Sequence, residues 1–251
     1  MKKTHNFTMN SISRISRIFL SSLLASGAML YSPLSTLAQI NQAEVNEILD
    51  SEEVFIEENP AQVEDQADFG QAVLTQEARA GLEFNNGAVG RLGSNSSVTV
   101  GQCVEVKNGQ LLVSGPVDGC IAGFLVNVQG TLYLLEVDAE NNGNIKVLEG
   151  TVLVTPQGAL EAAEPIILSA GQKLPVVGNV LGQIQDITPE EFAQIVAGEL
   201  FQGFTVPVTV EGALRSVCLQ LFGDLGFTCT AQGIPVPAPP VSVPSVPGLP
   251  F

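Results

Sequence analysis

Residues 78–100 read ARAGLEFNNGAVGRLGSNSSVTV, Ala78 to Val100, and this stretch decides the fold class. Leu82 and Phe84 lie two apart with Glu83 between them. Asn86-Gly87 then breaks the pattern, and Val89, Arg91 and Leu92 resume it. Period-two patterning around an Asn-Gly pair is the strongest short hairpin signal, because these residues tolerate the positive φ of a tight turn between twisted strands. A second break at Gly93-Ser94-Asn95-Ser96 precedes Val98-Thr99-Val100. Arg91 and Asn95 stand beside Gly90, Gly93 and Ser94, where they are expected to tie the turn to its own backbone, as Asn does in Asx-turns.

Working outward, the same punctuation continues downstream. Cys103 to Val106, Gln110 to Val113, Ile121 to Val128 and Thr131 to Val137 read as strands, as do Ile145 to Leu148, Thr151 to Val154 and Ile166 to Leu168. Turn pairs at Asn108-Gly109 and Asn142-Gly143 join Asn86-Gly87, and Gln129-Gly130 and Glu149-Gly150 separate further runs. Strands of about five residues with regular turn signals predict a sandwich, barrel or solenoid. Runs such as Phe124-Leu125-Val126 predict strands covered on both faces. Upstream, Gln39 to Glu47 is polar and reads as a short helix or a disordered lead-in. Ile48 to Ile56 is a candidate first strand, and Glu57 to Asp68 is a charged, solvated loop.

After Pro175 the character changes. Thr188-Pro189-Glu190-Glu191 is a helix start with Thr as N-cap, Pro at the first position and Glu at the capping-box position. Phe192, Ile195, Val196, Glu199 and Leu200 follow at helical spacing. Glu211 to Phe222 is a second helix, with Leu214, Val217, Cys218 and Leu221 on one face. The predicted fold is an all-β core, an elongated antiparallel β-solenoid or sandwich-like domain, followed by two short amphipathic helices. The expected organisation is a lead-in over 39–47, a β domain over 48–174, a helical segment over 175–233 and a proline-rich tail over 234–251, extended or disordered.

Residues 1–38 read as a secretory signal peptide. Lys2, Lys3, Arg14 and Arg17 form the basic region, Ile18 to Tyr31 the apolar region, and Thr36-Leu37-Ala38 the cleavage site. A membrane anchor is the alternative, but the apolar run is shorter than the ~20 residues of a spanning helix. Removing the peptide takes four of the ten basic residues, leaving 6 against 26 acidic ones, a net charge of −20. That balance argues against nucleic acid and anionic membrane surfaces. The four cysteines, Cys103, Cys120, Cys218 and Cys229, all follow the peptide and are expected to pair in an oxidising compartment. Three pairings are possible, and proximity favours Cys103–Cys120 and Cys218–Cys229.

The ordered pieces resemble the FecR domain family. They are Thr75, the segment Ala78 to Phe84, Asn86-Gly87, Arg91-Leu92-Gly93 and Asn95-Ser96. Gly130-Thr131, Val147-Leu148-Glu149-Gly150-Thr151-Val152 and Leu168-Ser169-Ala170-Gly171-Gln172 follow downstream. The resemblance covers about Ile48 to Leu174 and implies an extracytoplasmic all-β domain of elongated antiparallel form. In the regulators that name the family, this domain receives a signal from an outer-membrane iron–siderophore receptor and passes it to a sigma factor. Those regulators carry a cytoplasmic segment and a spanning helix before the domain. Here a signal peptide stands in that place, and the domain is expected to be a freestanding exported form.

The chemistry-bearing patterns are sparse. The only His, His5, lies in the signal peptide, so Ser-His and Cys-His nucleophiles and His-ligated zinc have no place in the mature chain. No CxxC spacing occurs. Asp138 to Glu149 fits the residue types of a calcium loop, but strands rather than helices flank it, and a hairpin turn is the expected reading. One mature Tyr and no Trp leave few stacking platforms for glycans, although ten Phe remain. The expectation is therefore a non-catalytic exported binding or scaffold domain, periplasmic or at the cell surface, without cofactor or metal. Its expected partner is another envelope protein, with no membrane span after signal cleavage. A sensory component acting with a separate receptor or membrane regulator is the alternative, and a carboxylate-based polysaccharide hydrolase the more distant one.

Overall fold

Short strands make up nearly half of the described residues, and they are joined as a sandwich wound in the manner of a solenoid. The computed structural model describes residues 40–158, 164–209 and 212–239, all within the compact unit Ala38–Phe251. The predicted signal peptide and the tail from residue 240 lie outside the described residues. The strands are β1 (Gln42–Leu49), β2 (Val54–Ile56), β3 (Asn59–Pro60), β4 (Gln66–Asp68), β5 (Ala72–Thr75) and β6 (Arg79–Phe84). Next come β7 (Val89–Leu92), β8 (Ser97–Thr99), β9 (Val104–Gly115), β10 (Gly119–Ile121), β11 (Phe124–Val128) and β12 (Thr131–Val137). β13 (Gly143–Glu149), β14 (Thr151–Pro156), β15 (Ile166–Ser169), β16 (Gln172–Val177), β17 (Val180–Leu181) and β18 (Gln185–Asp186) complete the β domain. Two helices, α1 (Pro189–Ala197) and α2 (Ala213–Phe222), precede a small hairpin of β19 (Phe227–Cys229) and β20 (Pro235–Pro237).

The first eighteen strands form two ladders. Ladder A runs β4-β1-β6-β7-β9-β12-β13-β16, with β17 and β18 on the last strand. Ladder B runs β3-β2-β5-β8-β9-β10-β11-β14-β15. All pairings are antiparallel except β9 with β10. β9 belongs to both ladders: Val104 to Asn108 pairs in B, and Gly109 to Gly115 pairs in A. The Asn108-Gly109 pair, where sequence predicts a turn between two strands, is thus the corner of one continuous strand. Gly109 takes φ +81°, and a Cβ there would lie 2.6 Å from Ser96 Cα, so only glycine lets the strand change ladder at that point. Asn86-Gly87 does close a hairpin, with the Gly87 amide donating to the Phe84 carbonyl and Phe84 to that of Ala88.

Two cores follow from the side-chain alternation. Leu111, Val113, Tyr133, Leu135, Ile145 and Val147 point between the ladders. Leu112, Leu132, Leu134 and Leu148 point the other way, onto Phe192, Val196, Val217 and Phe222 of the helices. Phe192 and Phe222 meet edge to face with centroids 5.4 Å apart. β12 is therefore buried on both faces, as β6, β7 and β13 are over most of their length. Phe124-Leu125-Val126, chosen for that role from its apolar run, instead alternates, because the helices among the described residues pack on ladder A.

Several segments differ from the sequence expectation. Ile48 to Ile56 is not one strand but is broken by a bend over 50–52 into the end of β1 and β2, and the expected loop Glu57 to Asp68 carries β3 and β4, with Ala61 and Ala67 buried. Gln42–Leu49 is a strand, not a helix or lead-in: Ala43 and Val45 are fully buried, and a bulge between Val45 and Glu47 shifts the alternation that sequence would have shown. Pro235–Pro237, expected to open an extended tail, pairs with Phe227–Cys229. Its neighbours carry the ladder: Thr230 donates to the Ile234 carbonyl and Ala238 to that of Gly226. The prolines fall at positions whose nitrogens need no partner, as edge strands allow.

Candidate functional site

The outer face of ladder A carries four of the six basic residues that follow the predicted signal peptide: Arg79, Arg91, Lys146 and Lys173. Each comes from a strand whose neighbours are buried, so each must find acceptors overhead. Arg91 on β7 donates to the carbonyls of Leu200 at 2.7 Å and Val206 at 2.8 Å. Arg79 on β6 is held in a fork by Asp50, at 2.5 and 3.0 Å, and also donates to the carbonyls of Glu199 and Gln202. Both guanidinium groups lie over the Phe204 ring, Arg91 at 4.5 Å and Arg79 at 5.4 Å from its centroid. Glu47, placed by the β1 bulge, accepts from the hydroxyl and amide of Thr205 and the amide of Val206. Residues 199–206 are thus fastened to the sheet by three side chains from three strands.

Electrostatics follow from this packing. Burial pushes the Arg91 guanidinium down to about 10, partly opposed by Glu47. Burial alone would raise the Glu47 carboxyl, but the Thr205 and Val206 donors outweigh it and hold it below its usual range. The Arg79 hydrogen bond lowers Asp50. Lys146, 8% exposed, bridges Glu136 at 2.8 Å and Glu191 at 3.2 Å, and Lys173 reaches Glu191 at 2.6 Å. Burial would raise Glu191, yet the two lysines together hold it low. Thr188 caps α1 by accepting from the Glu191 amide, while the Glu191 carboxylate, expected in a capping box, is turned to the lysines. These three carboxylates are displaced in the direction opposite to that of a general acid.

The cysteines form two disulfides. Cys103–Cys120 ties the start of β9 to its parallel neighbour β10 with Cα atoms 5.6 Å apart, and Cys218–Cys229 ties α2 to β19 at 6.1 Å. The calcium-like loop folds as a hairpin turn. Asp138 accepts from the amides of Glu140 and Asn142, and Asn142 accepts from Gly178. Glu149, the twelfth position, pairs with Leu132 at the far end of β12, roughly 20 Å from Asp138 at the rise of a strand. No group of three or more His, Cys, Asp or Glu is placed to hold a metal ion among the described residues. No helix among them is long and apolar enough to cross a membrane.

Arg91 does not tie its own turn, as its glycine neighbours suggested; it reaches more than a hundred residues along the chain. The turn is organised instead by Thr75, whose hydroxyl donates to the Gly93 carbonyl at 2.6 Å and accepts from the Ser96 amide at 3.0 Å. Asn95 takes φ +50° within it. Sequence reading passed over Arg79, Arg91 and Lys146 as anchors. A signal was present: isolated cations within apolar strands of a chain with very few cations.

A second feature lies at the β1 edge of ladder A, next to the Arg79–Asp50 pair. β4 pairs with β1 only over Gln42 to Glu44, and Val45 closes onto Glu64 and Asp65. From Asn46 to Leu49 the outer edge of β1 has no strand paired to it among the described residues. Beside it lies a cleft of about 550 Å³ with Ile48, Pro60, Ala61 and Val63 as apolar lining and Asp50 and Glu52 at its rim.

No family model matches the chain, and no curated protein matches it. It is similar in part to two crystal structures of a candidate anti-sigma factor from Parabacteroides distasonis ATCC 8503. The 1.65 Å structure aligns at 15% identity with a TM-score of 0.37, covering 45% of this chain and 56% of that one. The 2.50 Å structure aligns at 14% identity with a TM-score of 0.40, covering 49% of this chain and 63% of that one. The chain thus spans about three fifths of the length of these neighbours.

Proposed function

We propose that the protein is a non-catalytic binding module of the bacterial envelope, of FecR type, exported and disulfide-bonded, that docks a protein partner. The observation that carries this reading is the division of its polar groups. The buried cations and their acceptors hold the C-terminal segment to ladder A, while the acidic side chains face outward around a rigid sandwich. Two disulfides support an oxidising compartment. The carboxylates of Glu47, Asp50 and Glu191 are already taken up by Thr205 and Val206, by Arg79 and by two lysines, which supports a structural role for these three.

The test is cell fractionation with mass spectrometry of the mature N-terminus, followed by crosslinking in intact cells and purification under denaturing conditions. The expected result is a chain beginning near Gln39, outside the cytoplasm, linked to a defined envelope protein. Recovery of a receptor or a membrane regulator would assign it to sensing. Hydrolysis of envelope glycans that is abolished by replacing a single carboxylate would overturn the non-catalytic reading.

A further inference from the structure

We infer that the cleft between the end of β1 and the 60–63 segment is the docking site for an extended, basic segment of a protein partner that presents an aliphatic or aromatic side chain. This rests on the reading of the protein as a binding module and names its surface and the chemistry it selects. Three independent features converge there. The first is shape: Ile48, Pro60, Ala61 and Val63 line a 550 Å³ cleft, large enough for one or two side chains, and Val63 is 50% exposed.

The second is the sheet edge. Beyond Val45, β4 turns away at Glu64, which takes φ +76°, and leaves β1 unpaired from Asn46 to Leu49 among the described residues. An extended chain laid along that edge gains backbone hydrogen bonds, and its alternate side chains enter the cleft. The third is charge. Residues 40–78 contain eleven acidic residues and no Lys or Arg. Asp50 is the one among them in an ion pair, with Arg79, in the described residues. Glu52, Glu57, Glu58, Glu64 and Asp65 are exposed around the cleft-bearing end. An acidic strand is repelled from such a rim, and a basic one is drawn to it. The β16–β17 end of ladder A also exposes apolar side chains, Val177 at 63% and Val180 at 66%, and is the comparison site for the test below.

The experiment uses the purified protein, nitrogen-15 labelled, titrated with a blocked octapeptide of alternating Lys and Val. Saturable shifts confined to residues 46–52 and 60–65 are expected, with none from the matching Glu-Val peptide. Val63→Glu and Glu52→Lys, both at exposed positions, should each weaken binding about tenfold, the scale of one lost apolar or charge-assisted contact. Val177→Glu should leave it unchanged. Equal binding of a Lys-Ser peptide, or shifts that map elsewhere, would overturn the site. Photocrosslinkers placed in turn at Val63 and Val177 in cells separate this proposal from the broader one. Crosslinks from Val177 alone would refute the cleft and keep the binding module. Crosslinks from neither, nor from any other exposed position, would refute both.

Discussion

The two ladders share a strand and a core, yet their outer faces differ. On ladder A, β6, β7, β12 and β13 are buried nearly without interruption, and Arg79, Arg91 and Lys146 rise from them, with Lys173 from β16, into the C-terminal segment. On ladder B, β11 and β14 alternate buried with partly exposed, as a sheet facing water does. The difference teaches what the helices are for. They close one face of the sandwich, and the charged side chains beneath them fix where the closing segment sits. The acidic end and its cleft are left uncovered among the described residues.

Substitutions should respect that asymmetry. The largest effect is expected from Phe192→Ala, which empties a fully buried ring site shared by ladder A and both helices. A loss of about 3–5 kcal/mol, read by denaturant unfolding, is expected. Replacing Cys218 and Cys229 together by Ser should remove about 3 kcal/mol and loosen α2 and its hairpin first, as limited proteolysis would report.

Glu191→Gln should remove about 1–2 kcal/mol at neutral pH, since both lysines lose their shared acceptor. The pH dependence has a definite sign. Because the folded Glu191 carboxyl is held below its ordinary value of 4.5, its contribution is present above that pH. It is lost as pH falls through the folded value. Acid unfolding curves of the wild type and Glu191→Gln should therefore converge as pH falls through the lowered folded value, below 4.5. The smallest effect is expected on ladder B, where Ile167→Thr, at a site 57% exposed, should change stability by less than about 0.5 kcal/mol.

Much of this architecture is legible before folding. The Asn86-Gly87 hairpin, the Thr188 cap and the strand periodicity are local, and local rules read them. Asn108-Gly109 is ambiguous in sequence, because the positive φ of a hairpin turn also serves a corner between ladders, and only Ser96 packed against Gly109 decides between them. β1 is hidden by its bulge. The FecR-like pieces have a physical basis in part, since Thr75, Gly93 and Ser96 are joined by one hydroxyl. The arginine anchors and the cleft were not legible, for one reason. Arg91 meets Leu200 and Val206, and Ile48 and Ala61 come to line one cleft, only through the topology, which no spacing along the chain encodes.

The division between a closed face and an open one is tested most directly by hydrogen exchange on Arg91→Met, which keeps the apolar stem and removes the donors. The amides of Phe201, Thr205 and Val206 should open about ten- to a hundredfold more often, the consequence of stranding one buried and one partly buried carbonyl. The amides of β11 and β14 should exchange as in the wild type. Equal acceleration in both ladders, or unchanged protection over 199–206, would contradict the claim that ladder A's buried cations hold that segment in place.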